Sequence, residues 1–206
     1  MTNTTRRTKI ARMTLLAMLV AVLIVLAYVN IPMPMGLSIT FNMIPVAIAV
    51  MAMGMPGGMI IGGAFGLISF LQCYGIFGVS GMGVALVTAN PGLGFACLMF
   101  FQRFVSRVLV GVLAAIVFRS ISRTKAPLYL RGLVTGFAAA FFNTLFFMTL
   151  LVLLFSHTSY MQNAMAGRSV LTYISASVGV NAVVEMVVAA IVTGAAGVAL
   201  KKARMI

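Results

Sequence analysis

The stretch 93–118, LGFACLMFFQRFVSRVLVGVLAAIVF, decides the fold. It exceeds the roughly 20 mostly apolar residues that a helix needs to cross the hydrocarbon of a bilayer. Yet Arg103 and Arg107 stand in its middle, four apart and so on one helix face. It reads as a membrane-spanning helix whose arginines need an explanation.

Working outward, similar apolar runs occupy 10–29, 41–53, 59–72, 132–155 and 170–200. The whole chain agrees: of 206 residues, 63% are hydrophobic and 7% charged, with mean hydropathy +1.18. A soluble domain carries about 25% charged residues, and disordered chains are poor in apolar ones, so both classes are excluded. The expectation is a single all-α membrane domain over 1–206, a bundle of six transmembrane helices. Runs 41–53 and 59–72 are short and joined by a Pro-Gly turn at 54–58. A second reading fuses them into one hairpin that does not fully span.

There are 14 Lys and Arg, one His and a single acid, Glu185, for a net charge of +13. In a soluble protein such a surplus suggests nucleic acid; between membrane helices it sets orientation, because cytoplasmic loops collect Lys and Arg. Arg6, Arg7, Lys9 and Arg12 precede the first run, Arg119, Arg123, Lys125 and Arg131 flank the loop before the fifth, and Lys201, Lys202 and Arg204 end the chain. With six crossings all of these fall on one side, so both termini are expected in the cytoplasm. Only His157 and Arg168 fall opposite. The basic start could open a secretory signal, but it lacks an Ala-x-Ala cleavage site and reads as a retained helix. Cys73 and Cys97 flank an outer loop, as free thiols or as a disulfide, and their spacing fits no zinc motif.

Ionisable groups inside a membrane are costly and tend to be functional. Here they are Arg103, Arg107 and Glu185. At about 1.5 Å per residue, Arg107 and Glu185 lie roughly 21–22 Å below the outer ends of their helices, and Arg103 roughly 15 Å. An Arg107–Glu185 ion pair follows from that depth match. Arg103 is left without a protein anion: it either holds a ligand carboxylate, which suits its planar fork, or snorkels outward beside Gln102. Two arginines against one glutamate leave an excess of one positive charge, so the expected ligand is monoanionic. Asn143 and Asn181 sit at similar depth, as ligand contacts or as interhelical ties. Gln72, Asn90 and 30–40 are candidates for a mouth or lid.

Small residues recur at four-residue spacing: Ala17 with Ala21, Gly58 with Gly62 and Gly66, and Gly132 with Gly136. Such stripes let helices approach closely. No phosphate-binding Gly-x-x-x-x-Gly-Lys-Ser/Thr loop and no His-Glu-x-x-His metal site occur. One acid and one loop histidine cannot build a carboxylate proton relay. A binding protein energised by partners fits better than an enzyme, and neither cofactor nor metal is expected.

The order of several short pieces resembles the substrate-binding S components of energy-coupling factor (ECF) vitamin transporters. These are Ala17-x-x-x-Ala21, a Pro-containing outer loop leading to FNMIP at 41–45, the GMPGG turn at 54–58 and IGGAFGLIS at 61–69. RFVSRVLVG at 103–111, FNTL at 142–145 and VNAVVE at 180–185 are most similar to pantothenate-type members. The resemblance implies a bacterial plasma-membrane subunit that binds a vitamin from outside, with 30–40 among the capping loops. It also implies docking through Ala17 and Ala21 onto a transmembrane T component driven by two ATPases, and toppling in the membrane to release substrate inside. An S component for another small vitamin, a purely structural membrane subunit and a carrier acting alone are the competing readings.

Overall fold

A computed structural model describes residues 3–29, 31–32, 38–165, 167 and 170–203, with side chains over 9–29, 40–163, 165, 167 and 182–203. Among them the chain is almost wholly helical: α1 (Asn3–Tyr28), α2 (Met43–Met53), α3 (Met55–Leu71), α4 (Gly81–Ala89), α5 (Leu93–Ser122), α6 (Leu128–Phe155), α7 (Ser159–Met165) and α8 (Val170–Lys202). A two-residue antiparallel ladder joins β1 (Ile31–Pro32) to β2 (Ser38–Ile39), pairing Ile31 with Ile39.

Among the described residues five helices contain stretches long and apolar enough to cross a membrane: Lys9–Tyr28, Met55–Tyr74, Leu93–Ser122, Leu128–Phe155 and Ala182–Lys202. Rows such as Val183, Val187 and Ile191 on α8 and Phe137, Phe141 and Leu145 on α6 stay exposed. In a soluble protein such rows would be an aggregation hazard, whereas here they are the surface offered to lipid. The protein is a multi-pass helical membrane protein. The remaining expected crossing, α2, has only 11 residues, and at about 1.5 Å per residue it is roughly half a bilayer core in length. It is buried on most of its faces, with Val46, Ala47, Ala49 and Val50 inaccessible.

Three boundaries differ from the sequence expectation. The turn expected over 54–58 is one residue, Gly54, at φ +68. Helix α3 starts at once, with Pro56 in its first turn, where proline's missing N–H is no loss. The glycine-rich segment after Cys73 contains α4, started by Ser80, whose Oγ accepts from Gly83 N–H at 3.3 Å. The polar stretch before the last span contains α7, where Thr158 Oγ1 accepts from Met161 N–H. Glycine obscured α4 and polarity obscured α7, although a serine or threonine capping residue marks each start.

The bundle is held by backbone contact. A Cβ at Gly58 would lie 2.6 Å from the Gly111 carbonyl oxygen, one at Gly62 2.6 Å from that of Arg107, and one at Gly66 2.8 Å from Phe104 Cα. The glycine stripe of α3 is therefore the seam against α5. Gly132 and Gly136 do the same for α6 against α8, meeting the Thr193 and Ala189 carbonyls. Dispersion and close approach replace the hydrophobic effect as the driving force in lipid.

Two apolar clusters stack along α5. One gathers Phe65, Ile68, Val110 and Ala114 with α1, α2, α6 and α8; the other gathers Cys73, Met82, Leu86, Met99, Phe155 and Met161 where α4 and α7 meet. Along α5 the arginines fall between Met99 of the second cluster and Val110 of the first.

Candidate functional site

The buried face of α5 carries Gln102, Arg103, Ser106 and Arg107, the spacing that puts residues on one side of a helix. Because Gly62 and Gly66 bring the α3 backbone against Arg107, Phe104 and Arg103, the height of both arginines is set by that seam. Arg103 and Arg107 are each only 4% exposed. Arg103 is thus enclosed by the bundle rather than exposed at its surface.

Arg103 Nη1 and Nη2 each donate at 3.3 Å, to Ser69 Oγ on α3 and to Ser80 Oγ at the start of α4. Ser80 therefore both caps α4 and accepts from Arg103. A side chain at Gly83 would collide here, its Cβ 3.0 Å from Arg103 Nη2 and 2.6 Å from Cys73 Sγ. Arg107 Nη1 donates to Ser106 Oγ at 2.8 Å. The two guanidiniums share one aromatic ring, at 4.9 Å and 4.6 Å from the Phe147 ring centre, and Arg107 is also 5.1 Å from that of Phe65. A ring face attracts cations, but it cannot neutralise two of them.

The expected Arg107–Glu185 ion pair is not formed. Glu185 Oε1 instead accepts from the Thr40 backbone N–H at 2.7 Å. Counting residues could not give the directions: Arg107 turns toward α3 and α6, whereas Glu185 reaches the link between β2 and α2. So the one acid ties the end of the 30–40 segment to α8.

Among the described residues several buried side-chain atoms have no hydrogen-bond partner, and both arginines are among them. Buried Arg103 Nε and Arg107 Nε have no acceptor, while Gln102 Oε1, Asn143 Oδ1 and Asn42 Oδ1 have no donor. Gln102 Nε2 donates to the Phe147 carbonyl at 3.2 Å, which binds α5 to α6 at the ring both arginines use. Asn143 lies one helical turn before Phe147 on α6. Most buried polar groups in proteins are satisfied, so orphaned atoms on Gln102, Arg103 and Arg107, all on the buried face of α5, call for a partner.

The other sequence candidates separate. Gln72 is buried and donates through Nε2 to the Ala27 carbonyl at 2.9 Å, tying the end of α3 to α1. Asn90 closes α4 by donating to Leu86 O at 3.2 Å, a local role away from the arginines. The side chains of Asn181 and Arg168, and the middle of 30–40, lie outside the described residues, as does Arg204. Ala17 and Ala21 are exposed on α1. Cys73 is buried and Cys97 exposed, and both are free. Sequence reasoning missed Ser69, Ser80, Gly83 and Phe147; of these only Ser80, as a helix-capping serine before α4, carried a readable signal.

The sequence model of one protein family, described as ECF transporter, substrate-specific component, matches residues 11–195. Comparison with curated proteins gives no match.

Proposed function

The chain belongs to the family of ECF transporter substrate-specific components, and we propose from that premise that it binds pantothenate from outside the cell. In this family the substrate-binding subunit is a membrane protein without catalysis of its own. A T component and ATPases supply the drive.

The observation that carries the substrate class is the pair of buried guanidiniums, neither in salt-bridge contact with a carboxylate among the described residues, Glu185 acting on Arg107 only at longer range. A charge taken out of water needs compensation, and a ligand carboxylate at the two free Nε atoms would supply it. The unpartnered oxygens of Gln102 and Asn143 complement a ligand that also donates. Pantothenate offers one carboxylate, two hydroxyls and an amide N–H. With Glu185 held at Thr40, the two arginines and that glutamate still sum to one positive charge, which matches a monoanion. Gln72 and Asn90 take supporting places around the mouth in this reading, and Asn181, one turn before Glu185 in sequence, is a further ligand contact.

Counting α2 as a crossing makes six, and places both termini with the 123–131 loop on the cytoplasmic side of a bacterial plasma membrane. Exposed Ala17 and Ala21 then present α1 to the T component, which two ATPases drive.

Thermal unfolding of the purified protein against a panel of vitamins tests the reading. Pantothenate at about 100 times its Kd should stabilise by about 2.7 kcal/mol. Arg103→Ala should weaken that binding about 100-fold or more, the scale of stranding a buried charge partner. A different vitamin giving the only shift would reassign the substrate; no shift from any would favour a structural subunit.

A further inference from the structure

The opposite end of the bundle, where the basic residues cluster, holds a cavity of ≈ 470 Å³. Its wall combines Met51 of α2, Phe118 of α5, Pro127 and Leu128 opening α6, Arg131, and Lys201 of α8. One side is apolar and the other cationic.

The cationic side is fixed in part. Arg131 Nε donates to the Ala126 carbonyl at 2.9 Å and its Nη2 to that of Thr124 at 3.2 Å. These bonds fold the guanidinium back over the α5–α6 loop and hold its charge at the cavity. Lys201 stands exposed in the last turn of α8. No acidic side chain lies near this pair along the chain: the single one, Glu185, sits roughly 24 Å away along α8 at about 1.5 Å per residue. Pro127 begins α6 with no side chain accepting from its first amides, so that helix end adds to the positive potential.

The level is that of lipid headgroups. The apolar stretch of α8 ends at Lys201 and Lys202, and Tyr129 and Leu130 beside the cavity are exposed. We propose that this cavity binds a phosphate group, delivered as the headgroup of an anionic lipid, with Arg131 and Lys201 as its cationic contacts and Met51, Phe118 and Leu128 against the glycerol and upper acyl carbons. Free phosphate offers the same anion, but it has no use for the apolar wall. Basic pockets between helices at a membrane face bind anionic headgroups by this chemistry.

The test is a titration of the purified full chain in neutral detergent, read as melting temperature and as bound lipid by native mass spectrometry. The probes are short-chain phosphatidylglycerol, phosphatidylcholine with the same chains, and inorganic phosphate. Phosphatidylglycerol should bind saturably and raise the melting temperature, while the other two at equal concentration should not. Removing one cation should weaken phosphatidylglycerol about fivefold, and Arg131→Gln with Lys201→Gln about 25-fold. Lys201→Gln alone, on an exposed turn, keeps the test decisive if the Arg131 variant does not fold. Equal binding of phosphatidylcholine, or unchanged affinity in Lys201→Gln, overturns the proposal. Inorganic phosphate matching the lipid overturns the lipid seat and assigns the cations to a soluble anion.

Discussion

Helices α1 and α3 carry the same sequence signal, small residues four apart, and use it in opposite ways. On α3 the stripe Gly58, Gly62, Gly66 is buried against the α5 backbone, and 61% of that span's apolar window is buried. On α1 only 17% of the window is buried, and Ala17 and Ala21 face outward. A small-residue stripe reports that a backbone can come close; it does not say whose. The α3 stripe is used up inside the chain, where it sets the height of Arg103 and Arg107. The α1 stripe is left exposed, and under the proposed function a partner helix in the membrane is its occupant.

The largest effect should come from filling the seam. In Gly62→Ala the new methyl would lie 2.6 Å from the Arg107 carbonyl oxygen, a fixed backbone atom that no side-chain rotation can move. Overpacking of this kind costs about 3 kcal/mol, read as a lowered melting temperature in detergent. Ligand affinity should fall with it, because the displaced backbone is that of Arg107. A variant with wild-type melting and affinity would break the claim that the seam positions the site.

Filling the other stripe should act elsewhere. Ala17→Leu with Ala21→Leu adds volume on an exposed face, so the melting temperature should be unchanged and pantothenate affinity should stay within about twofold of wild type. Uptake by the assembled transporter should drop about tenfold, equivalent to about 1.4 kcal/mol of lost association. Unimpaired uptake would remove α1 as the docking surface and leave its alanines as lipid-facing residues only.

The membrane class, the long spans and the buried arginines were legible because length, apolarity and the scarcity of charge act locally along the chain. Azimuth was not. Arg107 and Glu185 matched in depth, yet Glu185 went to Thr40 N–H, since nothing in a helix period says which neighbour a face will meet. The partners of Arg103 were equally hidden: Ser69 and Ser80 are common residues whose roles exist only once α3 and α4 stand beside α5. Helix α4 itself was masked by glycine, although Gly83 is the residue that leaves room for the Arg103 guanidinium. Position along a span can be read from sequence, whereas pairing between spans had to come from the packing.

The smallest effect makes the comparison sharpest, because it lies one residue from the largest. A Cβ at Gly63 would sit 3.5 Å from the Phe104 ring and 3.8 Å from Val108 Cγ2, ordinary contact with side chains. That direction is about 100° around the helix from Gly62, since 3.6 residues make a turn. Alanine is favoured over glycine in a helix interior by up to about 1 kcal/mol, so Gly63→Ala should leave stability unchanged or raise it by that much. Affinity for the ligand should not move, because the contact touches neither arginine's backbone. If Gly63→Ala proved as damaging as Gly62→Ala, α3 would be intolerant of volume all round, and the seam would lose the directionality that distinguishes it from the open stripe on α1.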